Sequence, residues 1–84
     1  MIRLDYSKLR SITAREIISA LIKDGFQPRK KSKRGSHQVF IKRLPDGRKL
    51  IVPVPLGKKE IPRGTLSAIL RLGQLSRERF MKLL

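Results

Sequence analysis

The clearest hydrophobic pattern in the chain is a run of apolar residues at helical spacing in its first third. Thr13 and Glu16 precede this run at the spacing of a capping box, in which each side chain binds the other's backbone N–H. Gly25 follows, placed to end the helix in the left-handed conformation. The pattern predicts an amphipathic helix of about three turns. Its apolar residues are Ala14, Ile17, Ile18, Leu21 and Ile22.

Alternating and β-branched stretches in the middle of the chain predict three strands. The first, at about 26–32, contains Pro28, which restricts it to a sheet edge or to the beginning of a strand. The second, at about 36–43, is β-branched and aromatic at its centre. A turn at 44–47, with proline and glycine at favourable positions, joins it to an antiparallel third strand at 48–54.

Two prolines near the end of the third strand predict which side of it is open. Residues i and i+2 of a strand point their N–H groups the same way, so Pro53 and Pro55 remove donors from one side only. We therefore expect that side to be the sheet edge, with the amides of Val52 and Val54 facing the second strand.

Two further helices are predicted after the strands. The first starts near 61–65, either with Pro62 in its first turn or with Thr65 as its cap, and Gly73 ends it. Ser76 is placed to cap a short final helix. Together the elements predict an α+β fold of the order α-β-β-β-α, with a short C-terminal helix, a three-stranded antiparallel sheet and the helices on one face. The expected buried residues are Leu66, Ile69, Leu70 and Leu72 in the second helix, and Phe80, Leu83 and Leu84 in the last.

The length of 84 residues predicts a single domain, 1–84, in which 1–12 form a basic lead-in. The chain has no cysteine, and the absence of both a secretory signal and a long apolar run predicts a cytoplasmic protein without a membrane span. Twenty-one Lys and Arg residues against six acids give a formal net charge of +15. Such an excess favours a nucleic acid, or an acidic protein, as partner.

The densest positive charge stands immediately before the only histidine, His37. Histidine has an unperturbed pKa of about 6.5 and exchanges protons near neutral pH. A turn at 33–35 precedes it. Gly35 allows either the close approach of an RNA backbone or a bend at the start of the strand, and Ser36 either binds phosphate or completes the turn. The five cations are Arg29, Lys30, Lys31, Lys33 and Arg34, and Lys58 is a further candidate that approaches through space.

Other chemistries are disfavoured by the positions of the polar residues. The six carboxylates are scattered, so no metal or other cofactor is expected. A Ser-His-acid hydrolase also fits poorly, because adjacent strand residues such as Ser36 and His37 should point to opposite faces. No glycine-rich phosphate loop connects a strand to a helix, which leaves nucleotide hydrolysis without support.

Several short motifs follow one another along the chain: Arg15-Glu16-Ile17-Ile18, Lys23-Asp24-Gly25-Phe26, Gly35-Ser36-His37, Pro45-Asp46-Gly47-Arg48, Val52-Pro53, Ile61-Pro62-Arg63-Gly64-Thr65-Leu66 and Ile69-Leu70. In this order and spacing they resemble the HicA toxin family over about residues 11–80. The resemblance implies a double-stranded-RNA-binding-domain-like fold, an mRNA-cleaving activity that arrests translation, and a HicB-type antitoxin that covers the active site. It also implies that His37, in the Gly-Ser-His motif, is the catalytic residue. Many members have a further histidine after Val52-Pro53, and this chain has none, so we expect a slow enzyme.

These observations predict a metal-independent endoribonuclease with mRNA as substrate and His37 as general acid or base. The predicted RNA-binding residues are the five cations, Gly35, Ser36 and Lys58. One alternative is a basic RNA-binding module without catalysis, which recognises the shape of the RNA and contacts its phosphates. A weaker alternative is a DNA-binding helix-turn-helix at 65–80, with Arg77 and Arg79 at the start of the reading helix.

Overall fold

A computed structural model describes residues 11–29, 36–57 and 59–84 of the chain. They form an α+β fold, as predicted, in which three helices flank one three-stranded antiparallel sheet. The elements are α1 (Ala14–Lys23), β1 (Gln27–Pro28), β2 (His37–Arg43), β3 (Lys49–Pro55), α2 (Arg63–Leu72) and α3 (Arg77–Leu83).

The capping box predicted for α1 is present. The Thr13 hydroxyl accepts a hydrogen bond from the Glu16 N–H at 3.2 Å, and the Glu16 carboxylate accepts one from the Thr13 N–H at 3.1 Å. Ile12 and Ile17, which flank the cap at the positions of a hydrophobic staple, are both fully buried. Gly25 has a φ of +102° just past the helix, so the predicted left-handed end is confirmed.

The sheet has the order β1-β2-β3, which leaves β3 at one edge as the prolines predicted. Pro53 lies opposite Val39, and Pro55 lies opposite His37. The Leu56 N–H, which points the same way as those of Val52 and Val54, donates to the Ser36 carbonyl at 2.6 Å. The side of β3 that lacks two donors therefore faces away from β2.

Strand β1 is shorter than predicted. It covers only two residues, and both pair with β2: Gln27 lies opposite Ile41, and Pro28 lies opposite Phe40. Pro28 is thus on an edge strand, as its missing N–H requires. The rest of the expected strand, 30–32, and the expected turn at 33–35 lie outside the described residues. The turn between β2 and β3 is confirmed, with Gly47 at a φ of +91°.

Helix α2 begins at Arg63, directly after Pro62, so the alternative with Thr65 as cap is wrong. The first backbone bond of the helix already runs from the Leu66 N–H to the Pro62 carbonyl, which places Thr65 inside the helix. Ser76 caps α3 as predicted, and its hydroxyl accepts a hydrogen bond from the Arg79 N–H at 3.0 Å.

One face of the sheet and the inner faces of the helices enclose a single core. Along β3, Val52 and Val54 are fully buried, whereas Ile51 is 47% exposed and Pro53 is exposed on the opposite face. The helices therefore lie on one face, as predicted, and no element in the described residues covers the other face, which is called the open face below. Gly73 brings the α2–α3 turn close to the sheet: a methyl group there would meet Val52 at 3.5 Å.

Three residues predicted in the apolar stripes are exposed instead. Ile22 is 52% exposed, because it lies at the border of the α1 stripe where no element covers it. Leu72 is 47% exposed, since it is two residues past Leu70 and turns away from the core. Leu84 follows the last turn of α3 and is 38% exposed. The remaining predicted core residues of α2 and α3 are buried.

Candidate functional site

His37 is the first residue of β2 and is exposed to solvent. The strand alternation places it on the open face of the sheet, on the side opposite to buried Phe40. Its ring nitrogen Nδ1 lies 3.1 Å from the Ser36 hydroxyl oxygen. This contact engages one nitrogen of the ring, and no described residue forms a hydrogen bond with the other, Nε2.

The contact between Ser36 and His37 contradicts the expectation that the two side chains point to opposite faces. Strand β2 begins at His37, so Ser36 precedes the regular alternation and its hydroxyl turns toward the ring. The Ser36 backbone is held in place by the bond from the Leu56 N–H. Neither of the predicted roles for Ser36, binding phosphate or completing the turn, describes this hydrogen bond.

The hydrogen bond to Ser36 permits two proton arrangements. If Nδ1 carries the hydrogen, it donates to the hydroxyl, and Nε2 presents a lone pair that can accept a proton. In the protonated ring both nitrogens carry a hydrogen, so Nδ1 still donates to the hydroxyl and Nε2 can give up a proton. The same geometry therefore supports His37 as a base or as an acid. Among the described residues, no carboxylate hydrogen-bonds to the ring.

Arg29 is the one member of the basic run that the structure describes. Its backbone is held to β2 at both ends of the residue: its N–H donates to the Val39 carbonyl at 2.7 Å, and its carbonyl accepts from the Gln38 side chain at 2.6 Å. Arg29 thus lies opposite Val39, two residues along β2 from His37. The other predicted RNA-binding residues, Lys30, Lys31, Lys33, Arg34, Gly35 and Lys58, lie outside the described residues.

Sequence reasoning missed a second group of polar residues on the open face. Arg43, at the far end of β2, lies directly opposite Lys49 of β3. Arg43 and Arg29, together with Gln27, line a groove of about 370 Å³ beside β1. The alternation that starts at His37 places residues 39, 41 and 43 on one face, and this signal was sufficient to find Arg43.

Three of the carboxylates in the described residues are engaged in other contacts. Asp24 binds Lys42 at 3.0 Å and Arg79 at 3.3 Å, and Asp46 binds Arg48 at 2.6 Å in the β2–β3 turn. Glu16 belongs to the α1 cap. In the parts of the chain that the structure describes, no group of three His, Asp or Glu side chains is placed to hold a metal ion.

Helix α3 is poorly suited to read DNA. It has only seven residues, and Phe80 and Leu83 bury one of its faces. Arg79, expected to contact DNA in the helix-turn-helix alternative, instead binds Asp24. The Leu83 carbonyl also accepts a hydrogen bond from Lys23 of α1 at 3.0 Å, which ties α3 to the body of the domain.

Comparison with known proteins gives one assignment. A search of curated proteins found no match. None of the helices in the described part of the chain has the length and apolar character needed to cross a membrane. The family model described as "HicA toxin of bacterial toxin-antitoxin" matches residues 14–75, which include α1, the whole sheet, His37 and α2. The chain therefore belongs to the HicA toxin family of bacterial toxin-antitoxin systems.

Proposed function

We propose that this chain is an endoribonuclease that cleaves mRNA without a metal ion, and that His37 is its catalytic residue. The observation that supports this most is the setting of His37: an exposed ring at the start of β2, with Nδ1 in hydrogen-bond contact with Ser36. The sequence places five cations directly before it, which suits a phosphate-rich substrate. Membership in a toxin family agrees with an activity that arrests translation.

The reaction is an internal transfer of the RNA phosphodiester. The 2′-oxygen loses its proton and attacks the adjacent phosphorus, the bond from phosphorus to the 5′-oxygen breaks, and a proton reaches the departing oxygen. The products are a 2′,3′-cyclic phosphate and a 5′-hydroxyl. His37 supplies one of the two proton transfers through Nε2, a role worth about 10²- to 10⁴-fold in rate. Cations near it stabilise the charge that develops on the phosphate oxygens.

Ser36 acts in this scheme as a positioning residue. Its hydroxyl accepts a hydrogen bond from Nδ1–H both when the neutral ring takes a proton at Nε2 and when the protonated ring gives one from Nε2. The bond from Leu56 to the Ser36 carbonyl keeps the serine beside the ring in either case.

The HicB-type antitoxin is proposed as the protein partner. With a formal net charge of +15, the chain requires a partner that is acidic where the two meet. Because His37 is exposed at the start of β2, a partner seated on the open face would block access to Nε2.

The decisive test is cleavage of a defined single-stranded mRNA, with EDTA present, by the native chain and by His37→Ala. The variant should lose about 10²- to 10⁴-fold in rate while it keeps its affinity for RNA. Ser36→Ala should lose less, and Ser36→Thr, which retains the hydroxyl, should recover most of that loss. Arg15→Ala, on the exposed side of α1, is a control for the removal of one side chain.

Equal cleavage by the native chain and His37→Ala would contradict a catalytic role for this histidine. If neither protein cuts RNA but both bind it, the chain is a basic RNA-binding module. Binding to duplex DNA in preference to RNA would favour the helix-turn-helix alternative instead.

A further inference from the structure

The groove beside β1 lies on the same open face as His37 but at a distance from it. Its lining residues are Gly25, Gln27, Pro28, Arg29, Ile41 and Arg43. Ile41 is four residues along β2 from His37, or about 13 Å at the rise of an extended strand. The part of the groove at Ile41 and Arg43 is therefore too far from His37 to hold the phosphate of the bond that is cleaved, yet it is within reach of a neighbouring nucleotide on the same strand.

The charges in the groove have no partners among the described residues. Neither Arg29 nor Arg43 forms a salt bridge there, and the described ion pairs involve Asp24 and Asp46 instead. Arg43 also lies directly opposite Lys49, and two like charges at opposed positions of a sheet destabilise it. A bound anion would offset this repulsion, so the arrangement favours a polyanionic ligand.

The groove offers more than positive charge. Ile41 is only partly buried and provides an apolar surface, while Gln27, directly opposite it, has both a donor and an acceptor on its side-chain amide. The backbone contacts of Arg29 with Val39 and Gln38 fix the position of this arginine at the groove. An unstacked base can lie against an apolar side chain or a guanidinium plane and be hydrogen-bonded at its edge.

We propose that this groove binds a single-stranded part of the RNA substrate beside the bond that His37 cleaves. Arg29 and Arg43 contact phosphates or stack on a base, and Gln27 hydrogen-bonds to a base edge. The inference rests on the proposed ribonuclease function. It adds a binding site for unpaired RNA about 13 Å from His37 and assigns to Arg43 and Gln27 a role in the affinity and sequence preference of the enzyme.

The test measures binding of a fluorescent single-stranded RNA to His37→Ala, which cannot cut it, at several salt concentrations. In this background, Arg43→Ala should weaken binding about three- to fivefold, as for one exposed charge pair. It should also reduce the slope of log affinity against log salt by about 0.7. Gln27→Glu, which places a negative charge between the two arginines, should weaken binding similarly.

Two further variants control the experiment. Arg15→Ala removes the same charge from α1, on the other side of the core, and should change the affinity less than Arg43→Ala. Arg43→Lys keeps the charge but loses the planar guanidinium, so it should keep the salt slope and recover only part of the affinity. Circular dichroism of each variant checks that the fold is retained.

The proposal would be overturned if Arg43→Ala lowered the RNA affinity no more than Arg15→Ala does. Unchanged RNA affinity together with weakened binding of the HicB-type antitoxin would also overturn it and would make the groove a protein-binding surface. RNA affinity is measured without cleavage, so the result does not depend on the ribonuclease test. Even if the chain does not cut RNA, the effect of the groove variants on RNA affinity can be measured.

Discussion

The Asp24 carboxylate joins three elements of the fold, and its removal should destabilise the domain measurably. One oxygen, Oδ2, binds Lys42 of β2 at 3.0 Å, and the other, Oδ1, binds Arg79 of α3 at 3.3 Å. Asp24 itself caps the C-terminal end of α1. The Asp24 side chain is 8% exposed, whereas those of Lys42 and Arg79 are 30% and 55% exposed.

These exposures determine how much each of the two ion pairs should contribute to the free energy of unfolding. A hydrogen bond to a charged group with little solvent contact contributes about 1.5–3 kcal/mol, and we expect the lower end for Lys42. The half-exposed Arg79 pair should contribute about 0.5 kcal/mol, because water screens it. Asp24→Ala should therefore lower the free energy of unfolding by roughly 2–2.5 kcal/mol, or the melting temperature by roughly 8–20 °C in a domain of this size.

The assay is urea unfolding of Asp24→Ala and Asp24→Asn, with Asp46→Ala as the matched control. Asp24→Asn should lose about half as much as Asp24→Ala, because a neutral acceptor remains in place. Asp46 carries the same charge in an even shorter ion pair, 2.6 Å from Arg48, but its side chain is 53% exposed. Its loss should cost less than about 1 kcal/mol.

The reasoning is refuted if Asp24→Ala and Asp46→Ala destabilise the domain equally. Double-mutant cycles with Lys42→Met and Arg79→Met give a second check. If the coupling of Asp24 to Arg79 equals or exceeds its coupling to Lys42, solvent exposure does not govern the strength of these pairs.

Two other expectations concern the α1 cap and the histidine. Thr13→Ala should lower the free energy of unfolding by about 1 kcal/mol, because the capping box loses the acceptor for the Glu16 N–H; thermal unfolding measures this, and an unchanged stability would contradict it. His37, the only histidine, should react readily with diethyl pyrocarbonate in the isolated chain and be protected in a complex with the antitoxin. Mass spectrometry measures the labelling. Equal labelling of the isolated chain and the complex would show that the antitoxin leaves His37 accessible.

The predictions from local chemistry succeeded, since a cap or turn depends on a few adjacent residues. The Thr13 cap, the Ser76 cap and the positive φ of Gly25 all follow from such short motifs. Periodicity found the buried stripes but not their limits. Ile22 and Leu72 belong to apolar patterns, yet no neighbouring element covers them, and coverage depends on packing that the pattern does not contain.

The parts of the candidate site that are adjacent in the sequence were predicted, and the parts that come together only in the folded chain were not. The position of His37 beside the basic run could be read from adjacent residues. The contact with Ser36 was missed, because it depends on the residue at which β2 begins. The groove was missed because Gln27 and Arg43 come together only through the pairing of β1 with β2, a register that sequence spacing alone does not determine.

The two prolines of β3 bear on how a partner can approach the sheet. A strand added at the outer edge of β3 would find no N–H donor at Pro53 or Pro55, so it would lose two backbone hydrogen bonds that such an interaction depends on. A partner that contacts side chains on the open face does not lose these backbone hydrogen bonds. That face holds His37 at one end and the Arg43–Lys49 pair at the other. The two prolines therefore disfavour a protein partner that adds a strand at this edge, and they do not hinder a partner that contacts the face on which His37 lies.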